Sequence, residues 1–335
     1  MKSRVSALAI VLIAVSLIIS GCGNASTDPN SGNGKDYVWG SASLGSRGYV
    51  VIEALVSTAN KTTSMKNSSV STAGGMENLA LLSQGEVQFG QAQSSDMYFA
   101  ANALDPFKEK IDFAQITAYG DAALPIVVLE GSPIKTVQDL KGKRLLVGPA
   151  GGAAVPIMRA VLEEYGIADE VEFVYLSWTE GPEAFKMGQV DASAAWHSDG
   201  VVPHKGFQQV AITNKFRVLE MDKDILERVA AKNDGISVGT VKKEAFEFYE
   251  EDMVAPGVTV GLVCDPSLSE DLIYDLTKAL LDNAADVQAI APEELGQFGI
   301  DFALKGLVKA YPIHSGAAKY YREKGIWTDD YIVHE

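Results

Sequence analysis

VWGSASLGSRGYVVIEAL, residues 38–55, opens as an apolar strand, turns through Gly40, Gly45 and Gly48, and continues as an apolar-periodic helix. Gly40 and Gly45 have the spacing of a phosphate-binding G-x-x-x-x-G loop. That loop then needs Lys followed by Ser or Thr to reach the phosphates and the magnesium, and here Ser46-Arg47 follows. A strand–glycine loop–helix turn still offers unpaired amides and the positive end of a helix dipole. Carboxylates can be held by that device without the lysine.

The same unit recurs along the chain. Thr72-Ala73-Gly74-Gly75 precedes a helix over 76–84 that Gly85 stops, 86–91 alternates as a strand, and Ser94-Ser95-Asp96 caps a helix over 97–103. An apolar strand covers 124–129. The strand 144–148 runs through Pro149-Ala150-Gly151-Gly152 into a helix over 153–165, with Pro156 tolerated in its first turn. Residues 171–178 and 190–196 read as strands, 223–232 and 268–290 as helices, and Ser315 caps a last helix ending near Gly325. Strands alternating with helices predict an α/β fold whose ligands sit beyond the carboxyl ends of the strands. Four such turns are rich in Gly, Ser and Thr: 40–49, 72–78, 93–96 and 148–154. Their distribution predicts two lobes, 36–129 plus 256–335 and 130–255, with crossings near Glu130 and Pro256 and a cleft between them.

The first residues address the compartment. Lys2 and Arg4 precede an uncharged apolar run from Ala7 to Ile19, closed by Ile19-Ser20-Gly21-Cys22. This has the length of a signal-peptide core rather than a bilayer span. Residues 1–21 read as a lipoprotein signal peptide and Cys22 as the lipidated N-terminus. An uncleaved anchor, the alternative, leaves the body on the same side. Residues 22–35 form a polar leash able to span ~40 Å. The body is therefore expected outside the cytoplasm, lipid-anchored to the cell membrane. Cys264, in the apolar run VTVGLVCD, reads as a small buried hydrophobe. With 28 basic against 44 acidic residues and a net charge of −16, the chain will not bind nucleic acid non-specifically. A local cluster of donors can still hold a small anion.

The chain resembles the TAXI solute-binding proteins, extracytoplasmic receptors of one class of TRAP transporters. The matching stretches are 40–49 (GSASLGSRGY), 72–100, 134–154, 175–196 and 258–288, which cover nearly the whole mature chain in order. The resemblance implies a two-lobed, type II periplasmic-binding-protein-like fold that acts as a monomer. It also implies a small organic acid in the interlobe cleft and a sodium-driven permease as partner. The chain departs from the family's pattern. Family members commonly carry Gly-Thr-rich residues at Ser46-Arg47-Gly48, Ser at Met76, and Gly-Ser-Gly-Thr at Ala150-Gly151-Gly152-Ala153. Hydroxyl donors are lost and a guanidinium is gained.

These patterns predict a ligand site made of Ser43, Gly45, Ser46, Arg47 and Tyr49 on the first turn and Thr72, Gly74, Gly75 and Met76 on the second. Gln93 and Ser94 add polar contacts, Gly151, Gly152 and Ala153 a second lobe's helix start, and Trp178 and Trp196 aromatic walls. Arg47 is the expected counter-ion of a monocarboxylate less polar than glutamate, and Asp96 is first a helix cap. No cofactor and no metal is expected. None of His197, His204, His314 and His334 pairs at metal-motif spacing. His197-Ser198-Asp199 holds triad residue types only as neighbours in sequence, and Ser43 and Ser198 lack the G-x-S-x-G elbow. Two alternatives stand beside transport: a lipoprotein presenting its ligand to a signalling receptor, and an enzyme on the same fold.

Overall fold

The computed structural model describes residues 36–44 and 46–334. The signal segment 1–21, Cys22, the 22–35 leash and Gly45 lie outside the described residues. The chain begins with three βα units: β1 (Asp36–Gly40) and α1 (Arg47–Thr62), β2 (Lys66–Val70) and α2 (Gly75–Ser83), β3 (Phe89–Gln93) and α3 (Ser94–Ala101). The three strands pair in parallel in the order β2-β1-β3. The α1 helix forms because Val51, Ile52, Leu55, Val56 and Ala59 fall on one face, which is buried against this sheet. Each Val, Ile or Leu so buried contributes about 1.5–3 kcal/mol.

A long β4 (Ala114–Ala123) leads to β5 (Ile126–Leu129), β6 (Arg144–Leu146), α4 (Ala154–Glu164), β7 (Glu172–Val174), α5 (Gly181–Lys186) and β8 (Ala192–Ala194). Next come β9 (His197–Ser198), β10 (Val202–Pro203), α6 (Lys205–Ala211), β11 (Phe216–Val218), α7 (Lys223–Lys232) and β12 (Ser237–Val241). A twelve-residue β13 (Met253–Cys264) returns the chain, followed by α8 (Glu270–Asp282), α9 (Ala284–Ile290), α10 (Ile300–Ala303) and α11 (Ser315–Glu323).

Among the described residues these strands form two sheets. One runs β10-β9-β4-β13-β3-β1-β2 with β12 on β13, and the other runs β11-β5-β8-β6-β7. Each sheet has a core, the first around Trp39, Phe89 and Leu262, the second around Val128, Leu145 and Ile157. The expected α/β architecture of two sheets is present. Among the described residues, no helix is long and apolar enough to cross a membrane.

Three sequence expectations differ from the structure. The chain leaves the first sheet at Leu124–Pro125 rather than near Glu130, and β9, β10 and β12, all inside 130–255, hydrogen-bond to the first sheet. Sheet membership therefore changes four times instead of twice. The helix expected over 268–290 breaks at Asn283. Its amide side chain donates to Ala279 O at 2.7 Å, and its carbonyl accepts from Asp286 N and Val287 N to start α9. The last helix is capped by the ring of His314, which accepts from Gly316 N, and not by Ser315.

Candidate functional site

The carboxyl ends of β1, β2 and β3 carry the segment 41–44, the turn 71–74 and the junction at Gln93-Ser94, side by side because the strands are parallel neighbours. Asn78, fully buried on α2, ties them together. Its Nδ2 donates to Ser41 O and Gln91 O at 2.8 and 2.9 Å, and its Oδ1 accepts from Thr72 Oγ1 at 2.8 Å. A Cβ at Gly40 would stand 2.3 Å from Asn78 Oδ1, so Gly40 makes room for this hub rather than for a phosphate. The buried Tyr119 of β4 donates to Gln91 Oε1 at 3.3 Å, while Gln91 Nε2 donates to no acceptor among the described residues.

Two helix starts in this layout carry free amides and no capping side chain. In α2, the N–H groups of Gly75, Met76 and Glu77 have no acceptor among the described residues, and its N-cap is Gly74. In α4, on the other sheet, the same holds for Ala153 and Ala154, with Ala153 as N-cap. Such groups are orphan donors at the positive end of a helix dipole. The α1 start is different, because Ser46 caps it and accepts from Tyr49 N.

The second sheet presents the turns after β6, β7 and β8. Trp178 lies against Gly148, where φ is +77° and a Cβ would fall 2.4 Å from the indole. The Trp178 and His204 rings are 5.9 Å apart. His204 caps α6 by accepting from Gly206 N, and burial followed by the Lys205 charge holds its pKa below the usual imidazole value. Lys205 Nζ lies 3.5 Å from Glu294 Oε1, and Glu294 O accepts from Arg47 Nε at 2.9 Å. An unbroken run of neighbours, Gly148–Trp178–His204–Lys205–Glu294–Arg47, thus joins the turn of α4 to the turn of α1.

Several predicted site residues have other work. Ser94 Oγ donates to Gly235 O at 2.6 Å and accepts from Thr259 N at 3.1 Å, so its hydroxyl fastens α3 to the 233–235 turn. Thr72 Oγ1 bonds Ser41 O and Asn78 Oδ1 and accepts from Gly74 N. Arg47 donates from Nε to Glu294 O, from Nη1 to Asp121 O at 2.7 Å, and from Nη2 to Asp199 Oδ1 at 2.9 Å. Each guanidinium nitrogen thus has a protein acceptor and the Asp199 carboxylate meets its charge, while Nη1 and Nη2 each keep one further N–H. Gln93 N donates to Asp96 Oδ2 at 2.9 Å, and burial pushes the Asp96 carboxyl up to about 7. Ser43 is exposed at the first turn; Tyr49, Met76, Trp178 and Trp196 are half-buried; Gly151 is exposed and Gly152 half-buried in the α4 turn.

Sequence reasoning missed Asn78, Gln91, Tyr119 and the β9–β10 hairpin. The hairpin had a signal. Asp199-Gly200, both at positive φ (+53° and +70°), are the central pair of a turn closed by Val201 N donating to Ser198 O, a pair that Asp-Gly favours, within the three residues between the paired Ser198 and Val202.

The family model described as NMT1-like matches residues 39–325. Over 108 residues the chain is 30% identical to a protein of Escherichia coli (strain K12) described as aliphatic sulfonates-binding; the match covers 32% of this chain, and the chain spans 30% of the length of that relative. The alkanesulfonate-binding protein SsuA from Xanthomonas axonopodis pv. citri, solved bound to MOPS, is similar at a TM-score of 0.47 and 16% identity, over 90% of this chain and 98% of that one. The periplasmic aliphatic sulphonate binding protein SsuA from Escherichia coli is similar at 0.46 and 17%, over 88% and 89%.

Proposed function

The chain belongs to the NMT1-like family, and from that premise we propose that it is an extracytoplasmic solute-binding lipoprotein, lipidated at Cys22. In this reading it captures a small organic carboxylate between its two sheets and delivers it to a TRAP-type membrane permease. The observation that carries the proposal is the pair of uncapped helix starts, α2 on one sheet and α4 on the other. Both stand at carboxyl edges of parallel strands, where α/β folds gather ligands. Free amides at a helix N-terminus hold an anion without a cationic side chain. Gln91 Nε2 and the Ser43 hydroxyl add donors on the first sheet's side. Tyr49, Met76 and Trp178 supply apolar surface for a carbon skeleton. The protein binds its ligand and leaves it unchanged.

A second reading has one observation behind it. The Escherichia coli relative is described as binding aliphatic sulfonates, and a sulfonate offers amide donors the same acceptor chemistry as a carboxylate. Calorimetric titration separates the two. The protein, refolded to strip carried-over ligand, is titrated with matched pairs such as isobutyrate and propane-2-sulfonate, with glutamate and 2-oxoglutarate as polar controls. The proposal expects the branched monocarboxylate to bind, and ligand at a hundred times Kd to stabilise the fold by about 2.7 kcal/mol. Preference for the sulfonate replaces the carboxylate, and tight glutamate binding removes the apolar-ligand reading. Conversion of a bound acid during incubation overturns binding without turnover. A neighbouring permease gene favours transport over sensing.

A further inference from the structure

Arg47 sits 5.9 Å from the centroid of the buried Tyr119 ring, and the backbone makes room for it. A Cβ on Gly120 would lie 2.1 Å from Arg47 Nη2 and 2.7 Å from Asp199 Oδ1. Asp199 is the first central residue of the β9–β10 turn, and its carboxylate accepts from Arg47 and, at 3.2 Å, from Asp121 N. The hairpin is an excursion from the second sheet to the first: it follows β8 and precedes α6. Only two residue pairs register it on β4, Ala122 with Ser198 and Ala123 with His197. Its base is closed by His204 N donating to Trp196 O at 2.9 Å. Beyond that base lie the wall residues, Trp196 on one side and His204 against Trp178 on the other.

We propose that Arg47 is a positioning residue: through Asp199 it clasps the β9–β10 hairpin to the first sheet and so sets where Trp196 and His204 stand. The backbone register is short, two pairs extended by Asp199 N donating to Asp121 O at 2.9 Å and Lys242 N donating to Gly200 O at 2.8 Å, so the side-chain clasp adds a substantial share of what holds the hairpin. The Arg47 contacts to Asp121 O and Glu294 O anchor the clasp to elements of the first sheet's side. Only its consequence for affinity rests on the reading of that wall as ligand-facing.

The test needs no ligand. Nitrogen-15 spectra of the full mature chain resolve the indole N–H signals, with Trp196 assigned by Trp196→Phe. Trp39, whose Nε1 donates to Asn67 Oδ1 at 3.0 Å far from the hairpin, reports on general loosening. Arg47→Gln and Asp199→Asn should each move the Trp196 signal and speed exchange of the Asp199, Val201 and His204 amides about tenfold or more. The double variant should add nothing to either single one, and Arg47→Lys, which keeps a charge for Asp199 but not the fork to Asp121 O and Glu294 O, should give a pattern between wild type and Arg47→Gln. An unmoved Trp196 signal in either variant overturns the proposal. So does a Trp39 signal that moves as far, since the effect is then general. A failure of every organic acid to bind would sink the ligand reading and leave this result standing, so the two fail separately.

Discussion

In the first sheet, the turns after β1, β2 and β3 are locked to one another through the buried Asn78, with Thr72 and Gln91 at its sides. In the second, the turn after β6 is bare. Pro149, Ala150 and Gly151 are exposed, nothing stands within 4 Å of a Cβ built on Gly151, and Trp178 packs on Gly148. Both edges end in an uncapped helix start, so they offer an anion similar donors. They differ in what holds those donors in place. The first edge is a polar network in which each member depends on the others, whereas the second depends on one aromatic face. A ligand would meet a fixed wall and an adaptable one.

Removing the hub should do most to break this contrast. Asn78→Ala removes three buried hydrogen bonds and the side chain that joins the three turns, leaving the Thr72 hydroxyl only Ser41 O, and we expect a loss of about 4 kcal/mol in denaturant unfolding. A loss under about 1 kcal/mol would show that the first edge is no more rigid than the second.

The acid beside the hub comes next. Burial raises the Asp96 pKa from 3.8 to about 7, so the native state holds a proton that the unfolded chain has given up. The stability this group contributes is therefore complete below pH 4 and is lost as pH rises through 7, a decline of about 4 kcal/mol. Asp96→Asn should flatten that part of the profile and make the protein more stable than wild type at pH 8. A wild-type profile already flat between pH 4 and 8 would show that the carboxyl stays ionised.

On the second edge, Gly148→Ala drives a methyl into Trp178 at a left-handed backbone position. About 2 kcal/mol should be lost and the indole emission should shift. Gly151→Ala, at the open tip of the same turn, should stay within about 0.5 kcal/mol of wild type. A larger effect there would mean that this turn is packed and not adaptable.

The α/β alternation was legible because hydrophobic period and glycine punctuation are local. Helix 223–232 agrees with α7 at both ends, and the four glycine-rich turns lie on strand-to-helix junctions. What could not be read is what depends on partners distant in sequence. Asn78 looks like any polar helix residue until Ser41 and Gln91, 37 and 13 positions away, come beside it. Arg47 looked like a free cation because Asp199 lies 152 residues on. Ser94 and Thr72 looked like ligand donors for the same reason. The two-residue strands β9 and β10 are too short to show a period, and β12 joins the first sheet by pairing with a strand not yet encountered.

The place of β13 has a consequence for how the molecule comes into being. It lies between β3 and β4, so neither has its central neighbour until residues 253–264 have emerged. A growing chain that has exposed β1 to β4 holds two open strand edges with nothing to close them, the arrangement most prone to pairing with other chains. The first sheet is therefore closed late, by contacts that span up to about half the sequence, and such contacts make folding slow. The second sheet, built from residues 126–218, is complete much earlier. Limited proteolysis of ribosome-arrested chains would read this order directly: protection of 126–218 before residue 253 is made, and protection of 36–123 only afterwards.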